Sequence, residues 1–254
     1  MKATQAKGFS FGELLFCIPC VVLLIMLLLP SVRSAKEKAR EARCKSNMRN
    51  MANAMMMFAV EHDGHLPAAG KCGRNLENDW TWGGNVVPLP QTDPAKCERV
   101  RVEEGALWPY LTGMPRVGPY GEPEATAMRD EWYASPETNW YLCPTAGPVG
   151  KKRGLSSSMN GRIEVSSAGG TAAGIRISRI RNSSKTVLLV DESDSTLNDG
   201  YFDPAGAERE SPELHLKHSD GVNMVFCDGH VEWIQKKKFS QMMAPESDWF
   251  SPLR

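Results

Sequence analysis

The chain has 254 residues, enough for one large domain or two small ones. Its 30 Lys and Arg balance its 30 Asp and Glu, which argues against a strongly basic nucleic-acid binder. Much of the apolar content sits in one block near the N-terminus, and the remainder is rich in Gly and Pro. A modest core joined by many turns is therefore expected, not a large close-packed enzyme.

The apolar block is Leu14 to Leu29, LLFCIPCVVLLIMLLL. It is slightly short of the roughly 20 residues a membrane helix needs. Extending it back to Phe9 gives the length but brings Glu13 into the span, and a carboxylate near hydrocarbon usually marks a function. An ordinary signal peptide ending near Ser34-Ala35, a plain anchor and a pilin-type leader are the three readings. The third also accounts for Gly8-Phe9 ahead of the run, for Glu13 as the fifth residue after a cut there, and for Pro30. That proline stands where a long helix would kink on leaving the apolar region. Cys17-x-x-Cys20 lies inside the block and reads as buried structural thiols, not a redox pair.

The segment GFSFGELLFCIPCVVLLIMLLLPSVRSAKEKAR resembles the N-terminus of type IV prepilins and type II secretion pseudopilins. The resemblance implies cutting between Gly8 and Phe9 by a prepilin peptidase, with methylation of the new N-terminal Phe9. It also implies a partner for Glu13: the amine of Phe9 on a neighbouring subunit. Arg33, Lys36, Lys38, Arg40 and Arg43 follow the apolar run, and by the positive-inside rule they would hold the C-terminal part in the cytoplasm. They alternate with Glu37 and Glu41 as on a solvated helix face, so the expected orientation follows the resemblance, with the head outside.

From Ser31 to Val60 there is no Gly and no Pro. Ala35, Ala39, Ala42, Met48, Met51, Ala52, Met55 and Ala59 recur at spacings of three and four, which predicts one apolar helical face packed under a head. Glu41 and Lys45 form an i, i+4 pair on the polar side. His62-Asp63-Gly64-His65 and Pro67 end the helix. A continuous helix from Phe9 to Val60 would extend roughly 75 Å at about 1.5 Å per residue.

Residues 68 to 150 carry turn signals and no clear period, so short strands and long loops are expected. Gly105 to Leu111 reads as a short helical turn and Asn139 to Pro144 as a strand ending at a turn. Ser156 to Gly174 reads as a loop or weak edge strand. Lys185 to Asp191 reads as a fully buried strand. Val222 to Cys227 and His230 to Ile234 flank Asp228-Gly229, a hairpin turn signal. A two-residue turn pairs Phe226 with Val231 and Met224 with Trp233, and sets Trp233 on the core face.

His218, then nine residues, then Asp228-Gly229, in HSDGVNMVFCDGHVEW, resembles the C-terminal pattern of a family of prepilin-processed bacterial proteins. These are known by that H-x9-DG motif and are abundant in planctomycetes and their relatives. Tyr141-Leu-Cys-Pro144, Ser158-Met-Asn160 and Thr186 to Asp191 are family-like blocks as well. The family implies an architecture more than an activity.

Metal-binding readings are the weaker ones. Asp191, Glu192, Asp194 and Asp199 could offer oxygens to calcium, but their spacing is not that of an EF-hand, and a solvated acidic loop is the plainer account. His215-x-x-His218 and Cys227-x-x-His230 have zinc-compatible spacings. The hairpin already explains Cys227 and His230, and His218 is expected to hydrogen-bond to the Asp228 turn. The expectation is no cofactor and no metal, with Asp191, Asp194, His215, His218, Cys227 and His230 as the candidate ligands otherwise. No nucleophile elbow, phosphate loop, dinucleotide fingerprint or HExxH helix is present.

Together these features predict an α+β, pilin-like fold with a long N-terminal helix on an antiparallel sheet. The divisions are a leader (1–8), a membrane and assembly helix (9–30), its amphipathic continuation (31–62) and an extracytoplasmic head (63–254) with its hairpin at 218–234. The expected role is a structural, non-enzymatic subunit of a pilus- or type II secretion-like assembly. It would sit in a bacterial inner membrane with its head in the periplasm or a surface filament, its partners being the prepilin peptidase, like subunits and the membrane, with no nucleic acid. The alternatives are a solitary tethered binding module and, less well supported, a tethered zinc hydrolase.

Overall fold

The computed structural model describes residues 11–70, 77–81, 102–117, 139–163, 174–197, 200–204, 216–244 and 247–253. Gly8, Phe9, Cys72, Cys97, Asp199 and His215 lie outside them. The chain divides into two compact units, Met1–Ala39 and Arg40–Arg254. The helix α1, Phe11–Glu61, runs through Pro19 and Pro30 without a break.

In the first unit α1 presents its apolar side chains outward. Leu15, Phe16, Ile18, Val21 to Leu29 and Val32 are all exposed large hydrophobics. Cys17 and Cys20 are exposed too, so the protein itself does not bury these thiols. Such a surface is stable only if something apolar covers it, and by length and composition this part of α1 can cross a membrane.

In the second unit the helix changes character. Burial begins at Cys44 and recurs at Asn47, Met48, Met51, Ala52, Ala54, Met55, Phe58 and Ala59, which is the helical period. Ala42 stays exposed, so the buried stripe starts later than the alanine spacing suggested. Met48, Met51 and Met55 are core residues, whereas Met57 on the opposite side is exposed. The predicted Glu41–Lys45 pair closes at 2.7 Å. The helix ends where Asp63 and Gly64 take left-handed backbone angles and the Gly64 N–H caps the Ala59 carbonyl.

The sheet has five strands: β1 (Ser157–Asn160), β2 (Val187–Asp191), β3 (Tyr201–Phe202), β4 (Gly221–Phe226) and β5 (Val231–Gln235), in the order β3-β1-β2-β4-β5. It is mixed and not purely antiparallel, because β3 runs parallel to β1. The predicted buried strand is β2, at the centre of the sheet. The Ser/Gly-rich stretch expected as a loop or edge supplies β1, an interior strand, because its Ser158 and Asn160 side chains bond to buried partners. Asn139 to Pro144 forms turns, not a strand. The described residues also form short helices α2 (Trp108–Thr112), α3 (Pro148–Arg153) and α4 (Lys236–Met242) and single 3-10 turns at Val102–Glu104, Gly161–Ile163 and Ile177–Arg179.

A bulge in β2 between Val187 and Leu189 lets Leu188 and Leu189 join the same core as Met48, Met51 and Met55 of α1. A second core on Val187, Val190, Val222, Met224 and Phe226 is closed by Phe239 and Met242 of α4 and by Phe250. The sheet thus lies between two apolar layers.

The hairpin register differs by one residue from the expectation. Val225 pairs with Val231, Met224 with Glu232 and Asn223 with Trp233. Gly229 has φ 87° and its N–H bonds to the Phe226 carbonyl, so the connection is the three-residue loop Cys227-Asp228-Gly229. A one-residue slip exchanges the faces. Trp233 consequently leaves the Met224 face and is only half-buried, its indole N–H donating to the His218 carbonyl at 2.8 Å.

Candidate functional site

Four buried side chains converge at one end of β2. Cys44 comes from α1, Cys143 from the turn after Asn139, Asp191 from the last position of β2, and His218 from the loop entering β4. A sulfur, oxygen or ring nitrogen from each lies within 4.8 Å of all the others. The Cys44 thiol donates to Asp191 Oδ2 at 3.1 Å, and Cys143 Sγ stands 3.2 Å from His218 Nε2. The same Nε2 is 3.3 Å from Asp191 Oδ2. The other carboxylate oxygen, Oδ1, accepts from the Lys217 ammonium at 2.9 Å, and Lys217 also reaches the Ser156 carbonyl.

Local structure holds each member. Asn139 Oδ1 accepts from the Tyr141 N–H, and Ser156 Oγ accepts from the Cys143 N–H at 2.7 Å, fixing the turn that carries Cys143. Asn47, one turn along α1 from Cys44, donates to the Leu142 carbonyl and ties that turn to the helix. The N–H of His218 bonds to the Gly221 carbonyl and the N–H of Gly221 to the His218 carbonyl, closing a tight loop. Gly221 must lack a side chain, since a Cβ there would meet the Trp233 ring at 2.4 Å.

Charge is matched inside the cluster. Burial opposes ionisation of Asp191, but the Lys217 ammonium and the His218 hydrogen bond outweigh it and hold the carboxyl below its usual range. Burial pushes His218 down, while the bonds to Asp191 and Cys143 raise it overall to about 10. The Cys44 hydrogen bond brings Cys143 down to about 6 against the opposing effect of burial. That bond, with burial, drives Cys44 well upward. Asp191 and Lys217 neutralise each other at 2.9 Å, and the His218 ring stands beside the Cys143 sulfur.

These residue types could suggest a nucleophilic triad, but the geometry differs. A triad places the carboxylate on the ring nitrogen opposite the nucleophile, whereas here Cys143 and Asp191 face the same nitrogen. The group is also sealed, with Cys143 and His218 buried in the core. Two soft sulfurs, an imidazole and one carboxylate oxygen are instead a donor set suited to zinc.

Of the candidate metal ligands the structure brings together Asp191 and His218 and places Asp194, Cys227 and His230 elsewhere, while His215 lies outside the described residues. Asp194 accepts backbone N–H bonds from Gly147, Val149 and Gly150 at the start of α3. Glu192 is buried and bonds Ser158. Asp191, Glu192 and Asp194 therefore point in three directions and do not form the solvated loop expected of the acidic run, of which Asp199 lies outside the described residues. Cys227 is buried away from the cluster, its thiol pushed far up by burial. His230 stacks on Phe226 and bonds Asp228 at 2.6 Å. His218 is not tied to the Asp228 turn as expected; it turns inward to Cys143 and Asp191. Cys44 and Cys143 were missed, because Cys44 is 147 residues from Asp191 and Cys143 is 75 from His218. The Tyr141-Leu-Cys-Pro144 block was a signal for Cys143 alone, and Cys44 had none.

Fold and site define an α+β protein whose long N-terminal helix begins apolar enough to cross a membrane and ends as the spine of a head. The chain belongs to the DUF1559 family, described as proteins of unknown function, whose profile matches residues 33–201. That span contains Cys44, Cys143 and Asp191; His218 and the hairpin follow it, and Gly8, Phe9 and Glu13 precede it. No curated protein and no solved structure matches the chain.

Proposed function

We propose that this protein is a pilin-like structural subunit, anchored by the first part of α1 and assembled with like subunits into a pseudopilus-type filament, and that it is not an enzyme. The observation that carries the reading is the division within α1: outward Leu, Ile and Val side chains up to Val32, and core methionines from Met48 onward. One helix that serves lipid or neighbouring helices at one end and a folded head at the other is what the prepilin-like N-terminal sequence implies. In this reading a prepilin peptidase cuts between Gly8 and Phe9, and the head lies outside the cytoplasmic membrane. Glu13 pairs with the Phe9 amine of a neighbouring subunit, since an unpaired charge there costs a few kcal/mol and loss of either partner strands the other.

Glu13→Leu tests this in the native host. It should leave membrane insertion and cleavage intact, with N-terminal sequencing beginning at Phe9, while cross-linked oligomers are lost. An unchanged oligomer yield would refute the filament role and favour a solitary tethered binding module. A mature N-terminus at Ala35 or Lys36 would refute the anchor itself.

A further inference from the structure

We propose that Cys44, Cys143, Asp191 and His218 form a structural zinc site that ties the core end of α1 to the sheet. The site is independent of whether the chain enters a filament. Tetrahedral zinc, with Zn–S near 2.3 Å and Zn–N or Zn–O near 2.0–2.1 Å, sets its ligand atoms about 3.3–3.8 Å apart. Three of the six separations across the cluster are 3.1, 3.2 and 3.3 Å, and the other three lie within 4.8 Å. Side-chain shifts of a few tenths of an ångström bring the three short ones to the tetrahedral range. Four protein ligands sealed from solvent leave no open coordination place, which is the pattern of a structural and not a catalytic zinc.

The surroundings suit the ion. Lys217 holds Asp191 Oδ1, leaving Oδ2 aimed at Cys44 and His218, the outer-shell arrangement that orients a one-oxygen carboxylate ligand. The charge balances as well. Two thiolates, a carboxylate, a neutral imidazole and the Lys217 ammonium sum with a dication to zero. With Asp191 paired to Lys217 and two protons shared among Cys44, Cys143 and His218, the metal-free cluster is neutral too, so binding exchanges those two protons for the dication and strands no charge in the core. Soft sulfur donors disfavour calcium and magnesium.

A Cys44–Cys143 disulfide is the competing use of the same sulfurs. It would take the Cys44 donor from Asp191 Oδ2 and the Cys143 partner from His218 Nε2, leaving their 3.3 Å contact with each other. Zinc uses all four groups at once.

The test uses the full-length protein in detergent, purified without chelator. Elemental analysis should find about one zinc per chain, and exchange with cobalt should give a sulfur-to-cobalt charge-transfer band. Cys143→Ser should weaken that band and Cys227→Ser, outside the cluster, should leave it intact. Lys217→Gln should keep the band but lower zinc affinity by roughly 10–100-fold, as loss of an outer-shell partner does. Three results would overturn the proposal: no zinc together with no cobalt band in the wild type, a band that Cys227→Ser removes and Cys143→Ser does not, or a Cys44–Cys143 disulfide in the non-reduced wild-type protein by mass spectrometry.

Discussion

Asp194→Ala should destabilise the head by about 2 kcal/mol through loss of a helix cap. In the structure the Asp194 carboxylate accepts from the N–H groups of Gly147 (3.2 Å), Val149 (2.8 Å) and Gly150 (3.2 Å). These are N–H groups at the start of α3, which have no partner within the helix. Losing an N-cap costs about 0.5–2 kcal/mol, and a hydrogen bond to a charged group contributes about 1.5–3 kcal/mol. The three bonds share one half-buried side chain and do not add, so about 2 kcal/mol is the central value. For a domain of this size each kcal/mol lowers Tm by roughly 2–4 °C, giving a loss of about 4–8 °C. Thermal unfolding of full-length protein in detergent, followed by near-UV circular dichroism, measures it. Asp194→Asn should fall between wild type and Ala, because it retains an acceptor oxygen but loses the charge. Added calcium should leave the wild-type Tm unchanged. A loss under about 1 °C for Asp194→Ala, or a calcium-dependent rise that this variant abolishes, would refute the capping role and restore an ion-binding acidic loop.

Two further outcomes follow from the packing of α1. Met55→Ala empties a fully buried position and should cost about 2–5 kcal/mol, while Met57→Ala on the exposed side should change stability by less than about 0.5 kcal/mol; equal effects in denaturant titrations would contradict the assigned helix face. Burial, then the hydrogen bond to Glu61, pushes the Tyr110 phenol up to about 12. Its folded value lies above its ordinary value near 10, so the stability it contributes is complete below about pH 10 and is lost as pH rises through about 12. Ultraviolet titration should show a phenol ionising near pH 12 that Tyr110→Phe removes, and loss of one ionising near pH 10 instead would contradict the contact.

The legible parts of this protein were those encoded by local periodicity. The apolar run, the methionine stripe, the Glu41–Lys45 pair and the strand Val187–Asp191 each follow from side chains a few residues apart, and the sequence by itself determined them. The hairpin shows the limit of that logic. Asp228-Gly229 announced a turn, but both a two-residue and a three-residue loop accommodate it. The choice between them was made by cross-strand packing, which put Val225 opposite Val231 and turned Trp233 onto the face beside Gly221. The Ser-rich segment became an interior strand because Asn160 and Ser158 found buried partners on β2 and beyond it, which no propensity reveals. The buried cluster depended on tertiary structure most of all. Nothing in the spacing of Cys44, Cys143, Asp191 and His218 links them, and of the close-spaced residues that did suggest a metal His218 joins the cluster while Cys227 and His230 stay at the hairpin. Proximity in sequence governs only neighbours on one element; ligands drawn from a helix, a turn, a strand end and a loop meet only because the sheet and α1 bury a common core.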